Sequence, residues 1–348
     1  MLFYTPLVNI NPAYMRPTIL KNRDATYPHH IKSKLCRNGR VLIVASYDYF
    51  LNKRDLRYLI RSYEEVILVP RSVDDNYLMN QKIKPLLEKY DNVHLVTDPA
   101  YDSRNDVIYS LAVIHSKVIK ITDVFGFCEK ELQKIYVSED IENNMYSVHL
   151  KSFSWRIRIF KKILDQFSTL LLLILSAPFW ILSYFKIRKE SPGDVFYQQK
   201  RVGLNQHEFN IIKFRSMRTD AEANGAQFSS KNDDRTFSYG RLMRTTRIDE
   251  LPQLLNILKG EASLIGPRPE RKIFTDSFEE QMPHYQLRHL VKPGITGYAQ
   301  VMYPYGAGVR DARHKLMYDL FYIKNWTLQL EIQIVLRTVW IVISRKGI

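Results

Sequence analysis

The sequence contains little cysteine and no leader-like segment at its start. Its two cysteines, Cys36 and Cys128, lie far apart and form no C-x-x-C pair. The sequence therefore provides neither a disulfide framework nor a cysteine-ligated zinc site, and it fits a reducing compartment. Because the N-terminus lacks a charged segment followed by an apolar one, we predict no signal peptide and a chain that starts in the cytoplasm.

Acidic residues are too few to balance the basic ones. Lys and Arg number 51 against 36 Asp and Glu, a formal net charge of +15 over 348 residues. This excess favours anionic partners such as nucleic acid, acidic lipid or phosphorylated small molecules. Nucleic-acid binding is not expected, because none of the usual recognition motifs is present. With 45% hydrophobic and 25% charged residues, the composition is that of a folded protein.

The N-terminal half lacks glycine-rich phosphate loops, but its predicted strands alternate with predicted helices. Residues 1–38 have no sustained apolar period and are predicted to be irregular. Beyond them, helical stretches are expected near 53–63, 77–90, 104–115 and 127–135. They alternate with four buried strands at Val41–Ala45, Val66–Val69, Val93–Val96 and Val118–Ile121. We predict a Rossmann-like α/β domain with a parallel sheet over residues 39–150. Without G-x-G-x-x-G, its role is structural or regulatory, or a nucleotide pocket of another kind.

One uncharged run extends from Phe167 to Phe185, behind a basic, aromatic segment suited to a membrane surface. As a straight helix the run would measure about 28 Å, close to the hydrocarbon core of a bilayer. Pro178 near its middle should kink or break the helix. Both flanks are basic, whereas a crossing segment keeps its positive excess on one side. We predict a re-entrant hairpin over residues 161–189 that breaks at Pro178. A spanning helix and a buried core helix are the alternatives.

The remainder has no second uncharged run of that length. It contains two short strand-like pieces, a polar segment and a final apolar helix, at Val195–Tyr197, Phe209–Ile212, residues 219–238 and Leu328–Ile343. The final helix either packs on the domain or lies on a bilayer surface.

Two adjacent carboxylates, Asp249 and Glu250, lie between arginines and ahead of an apolar helical run. Thr246-x-x-Asp249 resembles a capping box, which would place both in the first turn of a helix that stops at Gly260. A helix N-terminus favours phosphate, and neighbouring carboxylates can hold a divalent cation or attack phosphorus. An ordinary capping role is the alternative. A diphosphate could be neutralised by the surrounding basic residues, which are Lys213, Arg215, Arg244, Arg247 and Arg268.

Ordered motifs cover slightly over half of the chain, from about Lys161 to the C-terminus. They include the basic lead-in ending in Asp165, the apolar run with Pro178, Ser191-Pro192-Gly193, Gln199–Gly203, Lys213–Met217, Asp249–Gln253, Gly266–Pro269, Lys292–Gly297 and Asn325-Trp326. Together they closely resemble the bacterial sugar transferases, which are monotopic polyprenyl-phosphate phosphoglycosyl transferases.

The resemblance implies transfer of a sugar-1-phosphate from a UDP-sugar to undecaprenyl phosphate, with release of UMP and with Mg²⁺. This is the first membrane step of exopolysaccharide or O-antigen synthesis, at the cytoplasmic face of the bacterial inner membrane. The resemblance makes Asp249 the nucleophile of a covalent aspartyl-phosphosugar intermediate and Glu250 the metal ligand beside it. It makes Arg244 and Arg268 phosphate contacts, to which the charge pattern adds Lys213 and Arg215.

The same resemblance implies a mainly helical α+β transferase domain over residues 151–348 with the re-entrant hairpin. The chain departs from the family pattern at Asp194, Arg247 and Tyr298, where proline, serine and tryptophan are usual. None of these changes removes a catalytic group. The sequence has no counterpart of the four transmembrane helices that larger members carry. An inactive membrane scaffold or regulator is the alternative function, and the sugar and any homo-oligomer stay open.

Overall fold

The computed structural model describes residues 29–33, 36, 38–47, 50–70, 83–98, 118–138, 150, 153–221, 233–282, 284–303, 306 and 308–344. The protein has a mixed α/β structure that divides into two units, Met1–Leu132 and Gln133–Ile348. The division falls earlier in the chain than the predicted boundary at residue 150.

In the described part of the first unit, five strands form one sheet in the order β1-β3-β2-β4-β5. The strands are β1 (His29–Lys32), β2 (Arg40–Tyr47), β3 (Glu65–Pro70), β4 (Asn92–Thr97) and β5 (Ile119–Asp123). Strands β2 to β5 run parallel, and β1 pairs antiparallel with β3 at one edge. The accompanying helices are α1 (Lys53–Ser62), α2 (Lys84–Lys89) and α3 (Val124–Lys130).

The four predicted strands and their parallel arrangement are confirmed, because each apolar run is buried in the sheet core. The prediction of an irregular segment up to residue 38 is wrong at His29–Lys32, which forms β1. Helix α3 starts earlier than predicted, because the Asp123 carboxylate accepts a hydrogen bond from the Gly126 amide at 2.6 Å. Residues 1–28, 77–82 and 104–115 lie outside the described part, and the label Rossmann-like stays a prediction.

The second unit contains a long helix, two small sheets and a set of shorter helices. The helices are α4 (Trp155–Glu190), α5 (Ser238–Thr246), α6 (Gln253–Leu258), α7 (Lys272–Gln281), α8 (Tyr298–Met302), α9 (Val309–Lys324) and α10 (Leu328–Ile343). Strands β6 (Phe196–Val202) and β7 (Glu208–Phe214) form an antiparallel hairpin, and β8 (Ser263–Ile265) pairs in parallel with β9 (Gly294–Thr296). The predicted strands near 195 and 209 and the final helix are confirmed.

Helix α4 contains the whole apolar run. It is assigned as one helix through Pro178, so the predicted hairpin of two helices is not confirmed. If straight, its 36 residues would extend about 54 Å. Among the described residues it is the one helix long and apolar enough to cross a membrane, and only 17% of its most apolar 18-residue window is buried. That low burial argues against a soluble core helix, and the helix makes the protein membrane-associated.

One face of α4 packs against the rest of the second unit, and this face carries small polar residues. Thr169, Ser176 and Ser183 recur every seven residues, which returns to the same helix face, and all three are buried. The Ser183 hydroxyl lies 3.0 Å from the Tyr239 hydroxyl on α5. Large apolar side chains such as Ile174 occupy the outer faces and stay exposed. The helix therefore packs lengthwise on its own unit and presents apolar surface outward.

Two buried charged residues anchor the first part of α4. The Lys161 ammonium donates to the Glu331 carboxylate on α10 at 2.6 Å and to the Ile265 carbonyl at 3.3 Å. Asp165 accepts from the Ser263 hydroxyl at 2.6 Å and from the Leu264 amide at 3.1 Å. Both residues thereby fix strand β8 against the helix.

The pairing of β8 with β9 depends on two glycines. A Cβ atom on Gly294 would overlap the backbone of Gly266, and one on Gly266 would overlap the Lys292 carbonyl. Only residues without a side chain allow the two backbones to approach this closely. This accounts for the glycines in two of the motifs, Gly266–Pro269 and Lys292–Gly297.

We expect Lys161→Met to lower the free energy of unfolding by about 3–5 kcal/mol, because the buried Glu331 would keep its hydrogen bonds from Tyr322 and Trp326 but lose its cationic partner. The neighbouring Lys162 is exposed, so Lys162→Met is the matched control and should have little effect. Thermal unfolding of both variants in detergent micelles measures the difference. Equal, small shifts for the two variants would contradict the buried role of Lys161.

Candidate active site

The candidate dyad Asp249–Glu250 lies in a short 3₁₀ turn, Ile248–Glu250, between α5 and α6. Helix α5 ends because Arg247 adopts a left-handed conformation with φ 62° and ψ 14°. Helix α6 begins after Pro252, whose missing N–H suits the start of a helix. The turn therefore presents two successive carboxylates at the junction of two helices.

The predicted capping box is not formed. Thr246 is the last residue of α5, and its hydroxyl donates to the Leu242 carbonyl at 2.8 Å instead of capping the next helix. Asp249 and Glu250 precede α6 rather than occupying its first turn, because Pro252 delays the helix start. The predicted stop is correct, since α6 ends at Leu258 and Gly260 follows with φ +78°.

Glu250 is buried and surrounded by three cations. One of its carboxylate oxygens, Oε1, lies 2.7 Å from Arg268, 3.5 Å from Lys213 and 3.6 Å from Arg247. Burial alone would raise the pKa of Glu250, but Arg268, Lys213 and Arg247 together hold that pKa well below its ordinary value. Glu250 is therefore a permanently charged group with its Oε1 held in ion pairs.

Asp249 is equally buried but has no such partners. Its Oδ1 atom makes no hydrogen bond within the described structure. Burial, followed by repulsion from Glu250, raises the pKa of Asp249 to about 6. A buried carboxylate oxygen without a partner is costly, so this atom is a candidate contact for a ligand.

Two buried donor groups near the turn also lack hydrogen-bond partners within the described residues. They are Arg244 Nη1 in the last turn of α5 and Gln253 Nε2 at the start of α6. Arg244 is close enough to Asp249 to lower its pKa. Two donors and one carboxylate oxygen without partners, on adjoining elements, fit a site shaped for an anionic ligand.

Lys213 and Arg268, both predicted phosphate contacts, reach the dyad from distant parts of the chain. Lys213 lies at the end of β7, and burial lowers its pKa although Glu250 opposes that effect. Arg268 follows β8, and its second guanidinium nitrogen lies 3.5 Å from the Gln300 side-chain oxygen. Together with Arg244, they surround the turn with positive charge from three segments.

Arg215 contacts the turn that follows α4, and its predicted phosphate contact stays a prediction. Its guanidinium donates to the carbonyls of Ser191, Pro192 and Asp194 at 2.6–2.8 Å and to the Ser191 hydroxyl at 3.0 Å. These contacts close the turn after α4, where the helix leaves carbonyls to be satisfied. Arg215 therefore stabilises the turn that follows the long helix, and this position gives no support to a phosphate contact.

Sequence reasoning missed Gln253 and Arg201 as parts of this region. Gln253 is part of the motif Asp249–Gln253, but no role was predicted for it from the sequence. Its place directly after Pro252 was the signal that could have put it at the start of a helix beside the dyad. Arg201 on β6 contacts Glu270 at 3.4 Å and the Pro269 carbonyl at 3.5 Å, beside Arg268. Only the fold brings Arg201 to that loop, because 67 residues separate it from Arg268.

The donor set of the dyad is compatible with a magnesium ion. In the described parts of the chain, no group of three or more His, Cys, Asp or Glu side chains could hold a metal. Mg²⁺ commonly uses one or two carboxylates and completes its shell with water and substrate phosphates. The unpartnered Oδ1 of Asp249 beside Glu250 suits that donor set.

Comparison with known proteins identifies the family of the chain. Residues 156–345 match the family described as Bacterial sugar transferase. The chain belongs to that family. The match covers the long helix and the whole dyad region, so the family predicted from the motifs is confirmed.

Two of three relatives of this sugar transferase described here are named as transferases that act on undecaprenyl phosphate. It is 43% identical over 187 residues to a UDP-N-acetylgalactosamine-undecaprenyl-phosphate N-acetylgalactosaminephosphotransferase of Aeromonas hydrophila, covering 54% of this chain and 44% of that protein. It is 39% identical over 181 residues to a UDP-glucose:undecaprenyl-phosphate glucose-1-phosphate transferase of Caulobacter vibrioides, covering 51% and 68%. It is 38% identical over 187 residues to the exopolysaccharide production protein PSS of Rhizobium leguminosarum, covering 52% and 94%.

The chain thus spans less than half of the first relative and nearly all of the third. These relatives differ in length, while the matched length stays between 181 and 187 residues. The shared part corresponds in size to the family match over residues 156–345, which lies within the second unit.

We expect Arg215→Gln in this transferase to lower the free energy of unfolding by about 1–3 kcal/mol, because carbonyls in the turn after α4 would lose their donors. Arg218→Gln is the control, since Arg218 and its partner Asp220 are both mostly exposed and such pairs contribute little. Thermal unfolding measures both. Unchanged stability together with lost substrate binding would instead make Arg215 a phosphate contact.

Proposed function

We propose that this protein is a phosphoglycosyl transferase that moves a sugar-1-phosphate from a UDP-sugar to undecaprenyl phosphate and releases UMP. The observation that carries the proposal is the contrast within the dyad: Glu250 is neutralised by three cations, and the neighbouring Asp249 has a buried oxygen without a partner. The names of the relatives describe this reaction with different sugars, so the donor sugar stays open.

The contrast assigns the roles in the proposed chemistry. An Asp249 oxygen attacks the sugar-bearing phosphorus of the UDP-sugar, the bond from that phosphorus to the bridging oxygen breaks, and UMP leaves with that oxygen. A phosphate oxygen of the lipid then attacks the same phosphorus and displaces the aspartate, which regenerates the carboxylate and yields the sugar diphospholipid. Covalent catalysis of this kind splits one transfer between two bulky anions into two steps.

Glu250 is the less suitable nucleophile, because Arg268 lies 2.7 Å from its Oε1. Burial and the neighbouring charge raise the pKa of Asp249, which makes its ionised form a stronger base and a better nucleophile. Lys213, Arg244 and Arg268 are placed to stabilise negative charge on the phosphoryl oxygens during transfer.

Asp249 and Glu250 are also the groups that would hold Mg²⁺. When bound, the ion neutralises phosphoryl oxygens and orients the diphosphate. The side chains themselves supply the nucleophile, the fixed positive charges and a buried environment that strengthens their interactions.

The packing of α4 supports a proposal for how the protein sits on the membrane. Its buried stripe extends from Lys161 to Ile187 against the rest of the unit, so a helix that crossed the bilayer would have to draw much of that unit into the lipid. Its apolar faces point outward, and α10 adds exposed apolar residues such as Leu336. We therefore favour a helix that dips into one leaflet near Pro178, with the dyad at the cytoplasmic face of the inner membrane and the first unit in a regulatory or structural role.

Incubation with a panel of UDP-sugars, undecaprenyl phosphate and Mg²⁺ should release UMP from at least one donor. Asp249→Asn should reduce this release by at least about a thousandfold, as removal of a nucleophile does, while the control Asp276→Asn on exposed α7 should not. With donor alone, the wild type should release a stoichiometric burst of UMP and gain the mass of a phosphosugar on Asp249. Chelation of Mg²⁺ should stop turnover.

The absence of UMP release with every donor would favour an inactive scaffold or regulator. Retained activity in Asp249→Asn would remove that residue from the nucleophile position.

Arg156→Cys and Asp194→Cys should both react with a membrane-impermeant maleimide from the cytoplasmic side of inverted vesicles, because a helix that dips and returns keeps its two ends on one side. Both residues are exposed, and the native Cys36 and Cys128 are buried, so the wild type serves as the unreactive control. Labelling of the two variants from opposite sides would show a crossing helix.

A further inference from the structure

The loop that carries Arg268 is held at every backbone carbonyl. The Pro267 carbonyl accepts from the Gly294 amide at 2.9 Å, and the Glu270 carbonyl accepts from the Val202 amide at 2.9 Å. The Arg268 carbonyl accepts from the Arg288 guanidinium at 3.0 Å. The Pro269 carbonyl accepts from Arg201 at 3.5 Å. Because two of the four residues are prolines without an N–H, carbonyl contacts are the main way to fix this loop.

Arg288 stands out among these donors because it acts directly on Arg268. It lies in the 3₁₀ helix Tyr285–Leu290 and is 4% exposed. The same nitrogen, Nη2, donates to the Arg268 carbonyl and, at 2.8 Å, to Asp319 on α9, which is 1% exposed. The other terminal nitrogen, Nη1, contacts the Tyr285 hydroxyl.

We propose that Arg288 is a positioning residue: its guanidinium links the buried Asp319 to the Arg268 carbonyl and so holds the Arg268 side chain against Glu250. The chain of contacts runs from α9 through Arg288 to the loop and ends at the 2.7 Å ion pair between Arg268 and Glu250. This inference rests on the proposed function, in which Arg268 stabilises phosphoryl charge.

The geometry requires arginine rather than a generic cation. The planar guanidinium reaches a carboxylate, a backbone carbonyl and a phenol from two nitrogens, whereas a lysine ammonium presents one nitrogen at the end of a flexible stem. Loss of that fork would let the Arg268 loop shift. A displacement of about 1 Å at a catalytic group can cost about a hundredfold in rate.

A merely structural ion pair would behave differently from a positioning one, and a double-mutant cycle separates them. Arg288→Lys is made in the wild type and in an Arg268→Gln background, and kcat, KM for the donor and Tm are measured for each. We expect Arg288→Lys to lower kcat by about ten- to a hundredfold with KM nearly unchanged. In the Arg268→Gln background the same change should lower kcat by less than about twofold, because the guanidinium that Arg288 holds in position is no longer there.

Arg235→Lys is the matched control. Arg235 also pairs with a buried carboxylate, Asp233, at 2.6 Å, and it donates to the Ala221 carbonyl at 3.2 Å. It should leave kcat unchanged. If Arg288→Lys does not fold, Asp319→Asn, which preserves the side-chain shape, is carried through the same cycle.

An equal loss of kcat in both backgrounds, or no loss in the wild type, would overturn the positioning role. If the wild type itself releases no UMP, the proposed function fails. The Tm values of the same four proteins then replace kcat as the measured quantity of the double-mutant cycle. Non-additive shifts in Tm would still support the link from Arg288 to Arg268, and additive shifts would overturn it.

Discussion

Burial of two adjacent carboxylates is the constraint on which the second unit depends. Asp249 and Glu250 are each less than a tenth exposed, and two like charges at that depth repel each other and lose their hydration. The fold compensates Glu250 with cations from three separate segments, at Lys213, Arg247 and Arg268. Asp249 is left with an unpartnered oxygen, so the two neighbouring carboxylates have different surroundings.

The long helix α4 contacts two of the segments that surround the dyad. Near its start, Lys161 and Asp165 fix β8, the strand that leads into Arg268. Near its end, the Glu190 carboxylate accepts from the Tyr239 amide at 2.7 Å, at the start of the helix that carries Arg244. The element with the apolar outer surface is therefore also the element that joins the basic segments around the dyad.

Local pattern was enough to predict much of the fold. The apolar runs Val41–Ala45 and Val93–Val96 lie in parallel strands as their pattern predicted, and the run Leu328–Ile343 forms α10. The edge strand at His29–Lys32 was missed, since it pairs through backbone groups and carries a weak apolar signal. Thr246 was misjudged for a related reason: its hydroxyl found a carbonyl of its own helix, and nearby Pro252 delayed the next one.

In the candidate site, too, some features could be predicted from the sequence and others could not. The sequence by itself determined which residues have the required chemistry: a carboxylate pair, a surrounding set of arginines and lysines, glycines where two strands meet, and an apolar run with basic flanks. Only the tertiary structure decided which of those residues meet. It brought Lys213 and Arg268 to Glu250, turned Arg215 to the exit of α4, and added Arg288 behind the Arg268 loop. The reason is physical: side-chain type sets what a group can bind, but its partner is set by the packing of segments far apart in the chain.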